Sequence, residues 1–196
     1  MVEKYAVTDW KPKKLLKGKT IIVTGCSSGI GWETAKTIKK LGGDVLGVDL
    51  NMTTDNVDEF YKADLSDKMT IEALVDALPS GADGIANIAG VPPTAPADLV
   101  LKVNLVGLKY FTELMVPKLA DGASIVNLAS LAGFGWAEHV SQIKDSYDLD
   151  FHEVADFVHR SFGSDADNRA AVSVIFANDD IAPRSDCEIV ASFEKL

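Results

Sequence analysis

The chain has 196 residues, of which 47% are hydrophobic and 24% are charged, and its formal net charge is −10. This length allows one domain with a substantial core, and the composition is ordinary for a soluble globular protein. The acidic balance argues against nucleic acid and against anionic membrane surfaces as partners.

The cysteines and histidines further limit the class of protein that the sequence can encode. Cys26 and Cys187 form neither a metal-binding spacing nor a disulfide framework. His152 and His159 are seven residues apart and lack a third ligand, so we expect no metal. The N-terminus has no apolar leader, and no run of about 18 apolar residues exists. We therefore predict a cytoplasmic protein with reduced thiols and no membrane partner.

The first two thirds of the chain alternate apolar runs with helical patterns. Residues 20–24 are β-branched and end at Gly25, which predicts a buried strand. A helix follows over 29–41, and Gly42 suits the position after its last turn. We predict further strands over 44–50, 59–65, 84–90 and 124–130, and helices over 66–78, with Ser66 as N-cap, and over 98–119. This order indicates an α/β fold with a doubly wound parallel (Rossmann) sheet, incomplete at its C-terminal edge.

The alternation of apolar runs with helical patterns stops after Ser130. Residues 134–170 contain one clear helix, which Asp150 and Glu153 begin with capping-box spacing and Gly163 ends. Residues 170–177 have a strand-like pattern, which suggests pairing with residues 124–130 at the edge of the sheet.

A glycine-rich turn, "TGCSSGIG", joins the first predicted strand to the first helix. Its glycines permit a tight turn and a close approach of backbone to a pyrophosphate, and the helix N-terminus offers N–H groups and a positive dipole end. The glycine pattern alone is weak evidence for a nucleotide-binding site. It predicts that the following residues contact a dinucleotide: Gly25, Ser27, Ser28, Gly29, Ile30 and Gly31.

Asp49 strengthens this prediction. It ends the second predicted strand, 18 residues after Gly31. An acidic residue there can accept both ribose hydroxyls of an adenosine, and it repels a 2′-phosphate. We therefore predict NAD rather than NADP as the cofactor.

Further motifs occur in a fixed order after Asp49: "ADL" at 63–65, "NIAG" at 87–90, "VNLVG" at 103–107 and "SIVNLASLAG" at 124–133. With them the chain resembles the short-chain dehydrogenase/reductase family over about residues 19–133. Within the family it most resembles the branch of 3α-hydroxysteroid and coniferyl-alcohol dehydrogenases, which carry a helical insertion after the fifth strand. The resemblance implies an N-terminal extension over 1–18, an NAD-binding core over 19–133, an insertion over 134–170 and a tail outside the family over 171–196.

The resemblance also implies roles for single residues. Asn104 would hold a water in a proton relay, and Ser130 would donate a hydrogen bond to the substrate oxygen. From the residues alone, Asn104 could equally bond to its own helix, and Ser130 could cap a strand end. The implied cofactor contacts are Asp64 and Leu65 at the adenine edge, and Asn87, Ala89 and Gly90 beside the sheet.

The family requires one further pair that this sequence does not show. A tyrosine and a lysine four residues apart share a helix face, and the ammonium lowers the phenol pKa so that the phenol can pass a proton. None of the four tyrosines has a lysine at that spacing. At the places that the branch implies, the chain has Ala171 and Ile175, and neither side chain can donate a proton.

Two functions therefore stay open. The first is an NAD(H)-dependent oxidoreductase that transfers a hydride between nicotinamide and a secondary or allylic alcohol or carbonyl. The second is an NAD-binding protein without catalytic turnover. A homo-oligomer also stays open, although the helix of the family's usual interface, which carries the tyrosine, is not recognisable, and this argues against one.

Overall fold

A parallel β-sheet forms the centre of the computed structural model, which describes residues 14–130, 136–163 and 188–189. The strand order is β3-β2-β1-β4-β5-β6, and every described strand pair is parallel. The order reverses between β1 and β4, which is where doubly wound sheets bind ligands at the carboxyl ends of their strands. The strands are β1 Thr20–Thr24, β2 Asp44–Asp49, β3 Glu59–Lys62, β4 Ala82–Asn87, β5 Leu119–Asn127 and β6 Glu188–Ile189.

Helices lie on both faces of the sheet, as the doubly wound prediction requires. The α-helices are α1 Gly29–Lys40, α2 Lys68–Ala77, α3 Ala97–Leu101, α4 Leu108–Met115, α5 Val140–Ser146 and α6 Val154–Phe162. A π-helical segment, Lys102–Gly107, joins α3 to α4, and a 3₁₀ turn, Val116–Lys118, follows α4. None of the helices in the described part of the chain is both long and apolar enough to cross a bilayer.

Two buried clusters hold the sheet between its helices. Ile22 of β1 packs toward α2 and α4 in one cluster, and its neighbour Val23 packs toward α1 in the other. Adjacent residues of β2 and β4 divide between the clusters in the same way, because successive side chains of a strand point to opposite faces. A sheet buried on both faces explains why the strands are nearly continuous apolar runs.

Several predicted boundaries were wrong. Asp67, not Ser66, caps α2, and its carboxylate accepts the N–H of Thr70 at 2.8 Å. β3 ends at Lys62 rather than at residue 65, and β4 ends at Asn87 rather than at residue 90. β5 begins at Leu119, where the predicted long helix was to end, because its first residues pair with β4 across a register shift.

The insertion also differs from its prediction. Its described residues, 136–163, contain two helices: α5 precedes the predicted helix, which spans Val154–Phe162 and has Gly163 as its C-cap. The side chain of Glu153 accepts the backbone N–H of Asp150 at 2.9 Å, which is half of the expected capping box. Residues 170–177 lie outside the described residues, and Glu188–Ile189 is the segment that pairs with β5.

Candidate functional site

The glycine-rich turn sits at the carboxyl end of β1 and packs against the chain that leaves β4. Gly25 has φ of 74°, and a Cβ on it would lie 2.8 Å from the backbone of Ala89. A Cβ on Gly31 would lie 2.0 Å from the carbonyl oxygen of Gly25, so α1 can approach the turn only with glycine there. Both glycines are needed for packing, and Gly25 is also needed for its backbone conformation.

The start of α1 is open to solvent. Ser28 is its N-cap, but the side chain of Ser28 makes no capping hydrogen bond. Gly29 has φ of 53°, and a Cβ on it would meet nothing within 4 Å. Ser28, Gly29 and Ile30 are all exposed. An exposed helix N-terminus without a side-chain cap suits the phosphates of a dinucleotide, so the residues present fit this group.

Asp49 joins the end of β2 to the same turn. One carboxylate oxygen accepts the backbone N–H of Ser27 at 3.0 Å, and the other accepts the N–H of Asn51 at 2.8 Å. The side chain is half-buried, so the carboxylate is oriented by the backbone and still reaches solvent. This geometry brings two sequence-predicted elements, the glycine-rich turn and the acidic residue, to one place.

Cys26 lies within the turn but is not a reactive thiol. Its side chain is fully buried, and burial together with the charge of Asp49 raises its pKa to about 11. A Cβ on Gly47 would lie 2.7 Å from the Cys26 sulfur, so the thiol fills a tight space against β2. Burial therefore outweighs the helix N-terminus, which by itself lowers a thiol pKa.

Asp64 and Leu65 follow β3 and have different environments. The carboxylate of Asp64 accepts both the N–H and the hydroxyl of Ser66, at 2.8 and 2.7 Å. The side chain of Leu65 is buried in the core. Of this predicted pair, Asp64 is the one whose side chain is still partly exposed.

The chain after β4 is held from the side of β1 by a residue that the sequence analysis missed. Thr24 is buried, and its hydroxyl oxygen accepts the N–H groups of Ile88 and Ala89, each at 3.0 Å. The only sequence signal was a threonine at the end of an otherwise apolar strand. Thr24 thus brings Ala89 against Gly25.

Asn87 links three elements of the core. Its side chain is buried, and its amide nitrogen donates to Thr112 of α4 at 3.0 Å and to Asn127 of β5 at 2.8 Å. Thr112 and Asn127 were not identified from the sequence. The three polar side chains satisfy one another where the carboxyl ends of two strands meet a helix.

Asn104 does not bond to its own helix. Its side-chain oxygen accepts the N–H of Val91 at 2.8 Å, and its side-chain nitrogen donates to the carbonyl of Val91 at 3.0 Å. Asn104 lies in the π-helical segment, a form that is rare and often found at functional sites. The amide pair therefore holds the chain just after Gly90, as Thr24 holds the chain just before it.

Ser130 lies three residues beyond the end of β5, and its side chain is exposed. Asn127 is the register partner of Asn87, so β5 and β4 end at the same edge of the sheet. Ser130 comes after this end of β5 and therefore lies on the carboxyl side of the sheet, as the other predicted residues do. Ala171 and Ile175, the predicted places of the missing tyrosine and lysine, lie outside the described residues.

Two described tyrosines have pKa values shifted away from that of an activated phenol. Burial, followed by a hydrogen bond to Glu59, raises the pKa of Tyr61 to about 12. The hydrogen bond that Tyr110 donates to Glu72 at 2.6 Å, together with burial, raises the pKa of Tyr110 to about 12. Neither phenol has the lowered pKa that proton transfer near neutral pH needs.

Two histidines of the predicted insertion lie at the surface. His152 and His159 line a shallow surface depression on α6 with Glu153, Asp156 and Arg160. Within the described ranges, no group of three or more histidine, cysteine or acidic side chains is arranged to hold an ion. Phe151 packs edge-on against Tyr110, and Phe157 is buried, so these two aromatic residues pack within the fold.

Known protein families and known proteins resemble this chain in sequence. The family model described as short chain dehydrogenase matches residues 19–142. A coniferyl-alcohol dehydrogenase from Pseudomonas sp. (strain HR199 / DSM 7063) is 45% identical over 130 residues, which are 66% of this chain and 51% of that protein. The chain thus spans about half the length of this relative.

Two solved structures share the fold. The 3-alpha-hydroxysteroid dehydrogenase from Pseudomonas sp. B-0831, complexed with NADH, has a TM-score of 0.67 at 21% identity, over 81% of this chain and 61% of that one. A short chain dehydrogenase from Shigella flexneri 2a str. 301, complexed with NADP, has a TM-score of 0.51 at 22% identity, over 63% of each chain. Because both identities are below 25%, these likenesses show the fold, and the two structures hold different cofactors.

Proposed function

Because this chain belongs to the short-chain dehydrogenase family of oxidoreductases, we propose that it binds NAD(H) at the carboxyl edge of its sheet. The observation that carries the proposal is the hydrogen bond between the Asp49 carboxylate and the N–H of Ser27. It places the acidic residue expected at the adenosine ribose next to the exposed N-terminus of α1, which is expected at the phosphates.

We assign NAD rather than NADP on the charge of Asp49. A 2′-phosphate on the ribose would face this carboxylate, and like charges brought together at a binding site cost several kcal/mol. Lys62 is the register partner of Asp49 across β2 and β3 and is the cation that could offset this repulsion. The ion pairs of the described residues do not include one between Lys62 and Asp49.

The proposed reaction is the oxidation of a secondary or allylic alcohol, or the reverse reduction of a carbonyl. The bound cofactor would accept or supply the hydride. In this chain, Ser130 would donate a hydrogen bond to the substrate oxygen, and Asn104 would support the proton relay. The name of the coniferyl-alcohol dehydrogenase supports an alcohol as the substrate class.

A second function is an NAD-binding protein that does not turn over. Ala171 and Ile175, at the places where the resemblance implies the tyrosine and the lysine, favour it. Losing a positioned proton donor typically removes about 10²–10⁴ of rate. On this proposal the chain keeps the cofactor site and loses most of the reaction.

One sample tests both functions. NADH is titrated into the protein and followed by its fluorescence, and the same protein is then assayed for oxidation of coniferyl alcohol with NAD. Binding with turnover supports the oxidoreductase, and binding without turnover supports the second function. A folded protein that binds neither NADH nor NADPH would contradict the cofactor site itself. Gly31→Ala is the matched negative control, because its Cβ would displace the turn.

A further inference from the structure

The helix α6 packs against α3 and shares a buried cluster with neighbours of the Asn104–Val91 pair. This cluster contains Leu101, Leu105 and Val106 from α3 and the π-helical segment, and Val154, Phe157 and Val158 from α6. The side chain of Val91 packs against the same cluster. The cluster therefore includes residues of α6, residues on the segment that carries Asn104, and the residue whose backbone Asn104 binds.

Phe157 is the largest buried side chain of α6. It is 2% exposed, and its ring meets the ring of Phe162 edge-on at 6.0 Å between centroids. A buried aromatic ring in a close-packed cluster transmits a change of volume to its neighbours, because protein interiors have few voids that could absorb it. A smaller residue at position 157 would loosen the packing of the cluster to which Leu105 and Val106 also belong.

Two different elements support the chain after β4. Thr24 belongs to the central strand β1, and its hydroxyl accepts the N–H groups of Ile88 and Ala89. The amide of Asn104 binds Val91 from the π-helical segment, whose Leu105 and Val106 share a buried cluster with residues of α6. Single π-helical turns inside α-helices are rare and occur frequently at functional sites.

We propose that Phe157 is a positioning residue that acts through the π-helical segment. It sets the position of Asn104 and thereby of the chain at Gly90 and Val91. The inference rests on the proposed function only where cofactor binding is the readout, because Gly90 and Ala89 are the expected cofactor contacts. Phe157 itself is buried in the cluster and acts only through its neighbours.

The test compares Phe157→Ala with Leu78→Ala in the full chain. Leu78 is also 2% exposed, but it belongs to the core cluster beside α2 and not to the cluster under α6. Two quantities are measured in each variant: native-state hydrogen exchange of the Val91 amide, relative to that of Ile22 in β1, and the dissociation constant of NADH. Phe157→Leu is the milder variant, because it retains a large apolar side chain. It replaces Phe157→Ala in the test if the alanine variant does not fold.

We expect the Val91 amide to exchange faster in Phe157→Ala, by about twofold to thirtyfold relative to Ile22, the range for side chains that couple two packed elements. NADH binding should weaken in the same range, and Phe157→Leu should restore both quantities in part. Leu78→Ala should speed exchange at Val91 and Ile22 alike, because it lowers the stability of the whole fold.

The inference is overturned if the Val91 amide keeps its relative protection in Phe157→Ala and Phe157→Leu, or if Leu78→Ala changes it equally. A wild-type chain that does not bind NADH contradicts the proposed function instead, and the exchange of Val91 still tests the positioning role. Unchanged NADH affinity with faster exchange at Val91 would overturn the link to the cofactor site.

Discussion

The carboxylate of Asp49 and the backbone N–H of Ser27 form a hydrogen bond of 3.0 Å between the end of β2 and the glycine-rich turn. The carboxylate is therefore oriented by the loop that is expected to hold the phosphates. Its second oxygen is oriented by the N–H of Asn51 at 2.8 Å. A backbone-oriented anion at this place is the physical basis for the proposed preference for NAD.

Replacing Asp49 should therefore change which cofactor binds. Asp49→Asn keeps an oxygen that can accept the N–H of Ser27 but removes the charge. We expect NADPH to tighten relative to NADH by about tenfold or more, since a like-charge contact costs several kcal/mol. Dissociation constants for both cofactors, measured by fluorescence titration, check this ratio.

The control for this ratio is Asp44→Asn, which removes a carboxylate from the exposed start of β2. It should leave the ratio unchanged. Lys62→Gln tests the rival cation, and a large loss of NADPH affinity in Asp49→Asn/Lys62→Gln would show that Lys62 pairs with the 2′-phosphate. Equal binding of NADH and NADPH by the wild type would contradict the role of Asp49.

Thr24 should matter for stability through its hydroxyl alone. Thr24→Val keeps the shape of the buried side chain but leaves the N–H groups of Ile88 and Ala89 without their acceptor. Each buried donor left unpaired costs about 1–3 kcal/mol of unfolding free energy. Urea unfolding measures the loss, and Thr24→Ser, which retains an acceptor, should recover most of it. Equal stability of the valine and serine variants would mean that the two hydrogen bonds contribute nothing.

Cys26 should resist modification in the folded protein. Its pKa is raised to about 11 by burial and by the charge of Asp49, so the thiol stays protonated near neutral pH. In a Cys187→Ser background, a thiol reagent should react with Cys26 only after urea is added. Labelling of the native protein within seconds would show that the turn opens far more readily than its packing implies.

The parts of the fold that were predicted correctly depend on local signals. β-branched runs such as residues 20–24 form the strands, and Gly163 ends α6 with φ of 73°. The glycine-rich turn and Asp49 could be found because a turn and an acidic strand end both have characteristic residues. Their contact could not be read from the sequence, since it depends on the parallel pairing of β1 with β2.

The parts that were missed depend on tertiary contacts. The pattern of 98–119 predicts one helix, and nothing in it marks the π-helical turn that positions Asn104 against Val91. In the sequence, Thr24 cannot be distinguished from the other residues of a β-branched strand, because its hydrogen bond to the chain after β4 is a tertiary contact. Asp67 caps α2 in place of Ser66 because the Ser66 N–H and hydroxyl both bind Asp64. Each of these three features depends on a hydrogen-bond partner that sequence periodicity does not reveal.

The ion pair between Lys68 and Asp150 should make the attachment of the insertion dependent on pH. Its atoms are 3.0 Å apart, and the Lys68 ammonium also lies 5.1 Å from the centre of the Tyr110 ring. The hydrogen bond from Lys68, followed by that from the N–H of Phe151, lowers the pKa of Asp150. A carboxyl whose folded-state pKa is below its unfolded-state value stabilises the fold above the unfolded-state pKa, and this contribution is lost as the pH falls through the folded-state pKa.

Asp150→Asn should therefore lower the unfolding free energy near neutral pH and have a vanishing effect in acid. Asp150 is 38% exposed, so solvent screens the pair, and a double-mutant cycle with Lys68→Met should give a coupling of about 0–1 kcal/mol that shrinks in high salt. His152 lies 3.7 Å from the same carboxylate, so the cycle is repeated in His152→Gln. Asp148→Asn, at an exposed carboxylate two residues earlier, should show no such pH dependence. An Asp150→Asn effect that persists in acid would mean that the residue acts through the N–H of Phe151 rather than through its charge.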